Sequence, residues 1–242
     1  MPATSDSFSS SGLTQGAFLR FRAASDQAVL AYLGEEICTL AHQRVVRLLR
    51  VLQQEPPPWV VNLQPAYCSL LICYDACQVE LPEVESVVRE YERRAEHAAL
   101  PESRLIDIPV CYGDEFGPDL ADVAALHGLT IEQTIKLHTS QTYRAYFLGF
   151  APGFAYLGDL PDELATPRLP TPRKKVAPGS VGIAGKQTAV YPLATPGGWR
   201  LLGRTPVSIF QPDRNPMGLI SVGDEVRFFT ITPAEFASWG KS

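Results

Sequence analysis

No apolar run in this 242-residue chain approaches the roughly 20 residues needed to span a bilayer, so no transmembrane helix is expected. The first 16 residues, MPATSDSFSSSGLTQG, lack the charged-then-apolar pattern of a secretory signal and read as a flexible lead-in, with cytoplasm the expected compartment. A long Lys/Arg run is also missing, and the net charge is −5, which argues against a nucleic-acid partner. Cysteine is sparse and unpatterned. Cys73 and Cys77 stand four apart without a second pair or a nearby His, so neither a zinc site nor a disulfide framework is expected. Cys68 and Cys73 flank SLLI and read as small buried hydrophobes.

The standard catalytic signatures are missing as well. SVGIAGKQT (180–188) has Ser180 where a phosphate loop needs its first glycine, and Gln187 where it needs Ser or Thr. There is no GxGxxG and no GxSxG. The four histidines lie outside the most unusual segment of the chain: His42 and His97 read as surface or core-edge helix residues, and His138 as a complement to a helix C-terminal dipole. A self-contained Ser/His/Asp or Cys/His hydrolase is not expected, and no metal site is assigned.

The chain has 45% hydrophobic and 19% charged residues, the balance of a globular protein. AFLRFRA and AVLAYLG around Ser25-Asp26-Gln27 read as a hairpin. Leu40, Val45, Leu48, Leu49 and Leu52 then recur at helical spacing until Pro56-Pro57-Pro58. WVVNLQPAY and SLLICYD form a second strand pair, and Pro82 to Ala98 a second amphipathic helix. This ββαββα order predicts an N-terminal α+β domain over residues 17–100. Beyond it, RLIDIPVCYG reads as a strand, followed by LADVAALHG and TIEQTIKLH as short helices, with Thr130 and Gln133 as a capping box. Short strands (YRAYFLGF, SVGIAG, TAVYPL, WRLLGRT, VSIFQP, EVRFFTI) then alternate with Gly/Pro turns, predicting a β-barrel or sandwich over 101–242.

Leu148 to Pro206 holds nine of the 18 glycines and nine of the 21 prolines. From Leu164 to Pro212 there are seven Lys or Arg and no Asp or Glu, so a basic, backbone-exposing segment sits inside an acidic protein. Arg173, Lys174 and Lys175 follow Thr171-Pro172 on what reads as a rigid loop, suited to an anion or simply solvated. Gly197-Gly198-Trp199-Arg200 and Gly203-Arg204-Thr205-Pro206 combine a flat aromatic, backbone N–H groups and guanidinium donors, a set that fits a carboxylate or phosphate. Trp199 suits a barrel core equally well. Phe150, Pro152, Gly153 and Phe154 make a tight bend, either a pocket wall or a barrel corner.

FLGFAPGFAYLGDLP, TPR (171–173), PGSVGIAGKQT, YPLATPGGW and GRTP, with PAYCSLLICYD and CYGDEFGPDL upstream, closely resemble the 5-oxoprolinase B-subunit family, which overlaps the allophanate hydrolase subunit 1 and sporulation-kinase-inhibitor (KipI) families. The resemblance implies an α+β fold whose C-terminal domain is a cyclophilin-like β-barrel. It also implies a cytoplasmic component working directly with a C subunit and with a separate A subunit, cleaving 5-oxoproline to glutamate with ATP as co-substrate. Mg²⁺ would be held by the partner. On the matched motifs, Arg173 and Arg204 are the catalytic candidates. Phe150, Pro152, Gly153, Phe154, Gly179, Ser180, Gly182, Gly185, Gln187, Thr188, Tyr191, Pro192, Gly197, Gly198, Trp199, Gly203 and Thr205 are the binding candidates. Inhibition of a sensor histidine kinase, or a role in urea or allophanate metabolism, are the alternative implications. The chain departs from the family pattern at Pro178, shifted by one residue, and at Ala189 in place of glycine.

Overall fold

In the computed structural model, residues 18–100 and 102–240 are described, so the N-terminal lead-in falls outside the described residues. The chain divides into two compact units: residues 18–64 with 68–98, and residues 65–67 with 99–240. No helix among the described residues is long and apolar enough to cross a membrane.

In the first unit, β1 (Arg20–Ser25) and β2 (Ala28–Tyr32) form the expected hairpin, with a register shift between Ala23 and Ser25. α1 (Thr39–Gln54) follows, with the Cys38 thiol accepting from the Ala41 N–H at its start. β3 (Val60–Pro65), β4 (Ser69–Tyr74) and α2 (Leu81–Ala95) complete the order, and the sheet runs β1-β2-β4-β3. Val45, Leu48 and Leu52 of α1 and Val84 and Val88 of α2 bury their faces among the sheet's Val29, Ala31, Leu70 and Ile72. This apolar burial is what holds helix stripes on one sheet face. His42 lies fully buried within α1, not at the core edge its sequence context suggested.

The second unit is a closed barrel. Its strands are β5 (Leu105–Tyr112), β6 (Thr142–Leu148), β7 (Ala155–Gly158), β9 (Ser180–Ala184), β10 (Gln187–Val190), β12 (Arg200–Arg204) and β13 (Glu225–Thr230), closed in the order β10-β7-β6-β13-β5-β12-β9. β13 pairs in parallel with β5, and antiparallel with β6. Short helices α3 (Leu120–Leu126), α4 (Ile131–Thr139) and α5 (Pro233–Ser238) flank it; α4 carries the anticipated Thr130/Gln133 capping box. Ile108, Val110, Tyr143, Leu157, Val181, Ile183, Val226 and Phe228 fill the interior.

Two readings of strand and loop change. Arg173–Val176, read as loop, is a strand (β8), paired with β11 (Thr195–Gly197) in a separate two-stranded ribbon. VSIFQP forms no strand: Pro206 and Pro212 remove ladder donors at both ends, and the Val207 N–H turns back to Thr205 Oγ1. One isolated bridge, Phe210 with Gly218, remains there.

His138 closes α4 but serves no helix dipole. It is fully buried in the barrel and stacks on Phe228, with ring centroids 4.8 Å apart. Thr188 Oγ1 donates to the Gly182 carbonyl at 3.1 Å, so His138 Nε2 must carry the hydrogen it gives to Thr188 at 2.9 Å. The Tyr112 hydroxyl then donates to Nδ1 at 2.7 Å. Burial drives the imidazole pKa down to about 3, holding the ring neutral.

Candidate functional site

The ribbon β8/β11 and the bend between β6 and β7 enclose a second, smaller cluster in the barrel unit: Phe154, Val176, Ala184, Ala189, Tyr191, Trp199 and Leu201. Phe154 is its hub, edge-on to Phe150 (5.2 Å), Tyr191 (5.3 Å) and Trp199 (5.6 Å). Trp199 is therefore buried as the floor of an aromatic wall and does not project as an open stacking face. Phe150 does project: it is 60% exposed and held at φ 67°, a backbone region that L side chains rarely adopt. Gly197 is required by Tyr191, because a Cβ there would lie 2.5 Å from the tyrosine oxygen. Burial raises the Tyr191 hydroxyl above its ordinary pKa, opposed by a backbone hydrogen bond from Trp199 and by the charges of Arg168 and Arg173.

The wall continues through Tyr156, which stacks on Phe147 at 4.3 Å, to Tyr67, whose ring meets Phe147 at 4.9 Å and Tyr146 at 5.1 Å. These contacts explain why residues 65–67 group with the barrel, although their sequence reads as part of the first unit's strand pair. The Tyr67 hydroxyl is buried without a hydrogen-bond partner among the described residues. Tyr146 gives its hydroxyl to the Asp159 carboxylate at 3.0 Å.

The cations divide sharply. Arg173 donates from Nη2 to Asp119 Oδ1 at 2.6 Å, and the other Asp119 oxygen accepts the Leu201 N–H at 2.7 Å. Arg173 was expected to face an anion, but its charge is matched by a buried carboxylate from the loop before α3, so it fastens β8 to β12. Lys186 pairs with Asp162. Arg168, Lys174, Lys175, Arg200 and Arg204 form no ion pair among the described residues. Arg204 is half-buried; only its Nε is used, donating to the Pro178 carbonyl at 3.0 Å. Arg168 lies close enough to Tyr156 and Tyr191 to lower both hydroxyl pKa values against the effect of burial.

The candidate residues thus fall into three places. Phe150, Pro152, Gly153, Phe154, Tyr191, Pro192, Gly197, Gly198 and Trp199 surround the aromatic wall. Gly179, Ser180, Arg204 and Thr205 form a connected segment beside it: the Thr205 N–H reaches the Gly179 carbonyl at 2.9 Å, and the Tyr191 N–H reaches Ser180 at 2.8 Å. Gly179 has φ 81°, and a Cβ there would lie 2.4 Å from the Thr205 carbonyl oxygen. Gly182, Thr188 and Gly203 belong to the barrel wall, while Gly185 and Gln187 mark the β9–β10 turn. Asp119, Arg168, Tyr67, Tyr146 and Asp159 were not named as site residues from the sequence, because their partners are decided by contacts in space. The signals were the motifs themselves: Tyr67 lies in PAYCSLLICYD, Asp119 in CYGDEFGPDL and Asp159 in FLGFAPGFAYLGDLP. No group of three or more His, Cys, Asp or Glu able to hold a metal occurs among the described residues.

The compact α+β unit and the closed barrel carrying this wall define a carboxyltransferase-type module, and the carboxyltransferase domain family, subdomains C and D, matches residues 19–220. A Bacillus subtilis (strain 168) protein named as the B subunit of 5-oxoprolinase is 41% identical over 224 residues, covering 88% of this chain and 93% of its own length. One of the same name from Escherichia coli O157:H7 is 45% identical over 204 residues, covering 84% and 92%. The chain belongs to the 5-oxoprolinase B-subunit family. Among solved structures, TTHA0988 matches with TM-score 0.74 at 35% identity, over 85% of this chain but 40% of that one. The urea amidolyase of K. lactis shares the fold alone, with TM-score 0.77 at 19% identity, over 93% of this chain and 16% of its own.

Proposed function

We propose that this chain is the B subunit of a cytoplasmic, ATP-dependent 5-oxoprolinase that opens 5-oxoproline to glutamate together with the A and C subunits, and that it is inactive alone. The near end-to-end match to relatives bearing that name carries the reading. TTHA0988 supports a shared site, since there the matched fold is 40% of a longer chain. Neither kinase inhibition nor urea metabolism is favoured by the names of these relatives.

A lactam is a resonance-stabilised amide that water attacks slowly. Phosphorylating its oxygen makes a leaving group and concentrates negative charge, which preorganised donors stabilise. On this chain that role falls to Arg204, whose guanidinium retains free donors, and to Arg168. Arg173 acts as a positioning residue through Asp119. The aromatic wall excludes water and offers the five-membered ring an apolar face. The residues here do not fit a Mg²⁺ site, so we derive no step through the ion.

Reconstitution with the A and C subunits tests this by following glutamate release from 5-oxoproline with ATP. The complex should turn over, the isolated chain should not, and Arg204→Gln should lower the rate about 100-fold with the complex still assembled. Full activity of the isolated chain, or an unchanged rate for Arg204→Gln, would overturn the assignment.

A further inference from the structure

The first unit carries a cleft of about 460 Å³ lined by Leu40, Arg44 and Arg47 of α1, by Glu92 and Ala95 of α2, and by Glu96 and His97 just after it. Arg44 is committed: Nη1 donates to the Leu33 carbonyl at 2.8 Å and Nη2 pairs with the buried Glu92. Arg47, three residues on and so on the same helix face, makes neither an ion pair nor a hydrogen bond among the described residues. Its Nε is buried with no acceptor, and so is that of Arg44.

Two guanidinium N–H donors left without acceptors in one cleft are costly, because desolvated charged donors are ordinarily matched. Glu92 is already paired with Arg44, so Arg47 is the cleft arginine without an ion pair among the described residues. A guanidinium presents a planar fork that matches a carboxylate through two parallel hydrogen bonds. Leu40 and Ala95 supply an apolar wall for a short carbon chain, and the exposed Glu96 also lines the cleft, where a carboxylate suits an ammonium group.

We propose that this inter-helical cleft is a binding site for a small carboxylate metabolite, with Arg47 as its carboxylate anchor, separate from the aromatic site of the barrel. It stands whether or not the 5-oxoprolinase reading holds. The test is isothermal titration of the full chain with three probes: glutarate, L-glutamate and inorganic phosphate. Glutarate should bind, and Arg47→Gln should weaken it about tenfold or more while Arg22→Gln, at an exposed position of β1, leaves it unchanged. Arg47→Lys, which keeps the charge and loses the fork, should fall between, and it decides the matter should Arg47→Gln prove unfolded by circular dichroism. Tighter binding of L-glutamate than glutarate identifies an amino-acid ligand using Glu96. Binding of phosphate alone, no binding of any probe, or carboxylate binding indifferent to position 47 would overturn the proposal.

Discussion

The buried carboxylate of Asp119 receives Arg173 at 2.6 Å and the Leu201 N–H at 2.7 Å, joining three segments that lie 54 and 82 residues apart in sequence. One carboxylate thus fixes the ribbon that backs the aromatic wall to a barrel strand.

Asp119→Ala should therefore destabilise the barrel unit by about 2–3 kcal/mol, since it strands a half-buried guanidinium and a buried N–H together. Arg173→Ala should cost less, because Asp119 keeps its bond to the Leu201 N–H. Urea denaturation of the two variants measures the order; equal costs would mean that the carboxylate is not the centre of the joint.

Position 197 separates packing from backbone strain. Gly197→Ala should displace the Tyr191 ring at a cost of about 1–3 kcal/mol, because the added methyl collides with the phenol. Gly185→Ala meets nothing within 4 Å but must hold φ 56°, so its cost should be only about 1 kcal/mol. Near-ultraviolet circular dichroism should change for the first variant and not for the second.

His138 sets an acid limit. Its folded pKa, near 3, lies below the ordinary value of 6.5, so the unfolded chain takes up a proton that the folded one refuses. The stability it protects is complete above pH 6.5 and is lost as pH falls from there toward 3, at roughly 1.4 kcal/mol per pH unit. Between pH 7 and 5 the wild-type chain should lose about 2 kcal/mol more than His138→Gln, read from urea midpoints. Parallel losses would mean that the imidazole titrates normally.

Tyr67 offers a sharper test of the wall. Tyr67→Phe removes a buried hydroxyl with no partner among the described residues, so it should leave stability unchanged or raise it by about 1 kcal/mol. A clear drop in melting temperature would reveal a hydrogen bond to a bound water or ligand.

Local pattern was enough to place both helices of the first unit, the hairpin at Ser25-Asp26-Gln27 and the capping box at Thr130, because period, turn residues and caps act within a few residues. It also marked out the glycine- and proline-rich stretch that forms the aromatic wall, since such composition has few other uses. Sequence could not say which arginine is free. Arg173 and Arg204 look alike in their motifs, and Asp119, which separates them, lies far away along the chain. The same holds for His138, whose neutrality follows from burial between strands that only barrel closure brings together. Charge state and accessibility belong to neighbours in space, and those neighbours were decided by the tertiary fold.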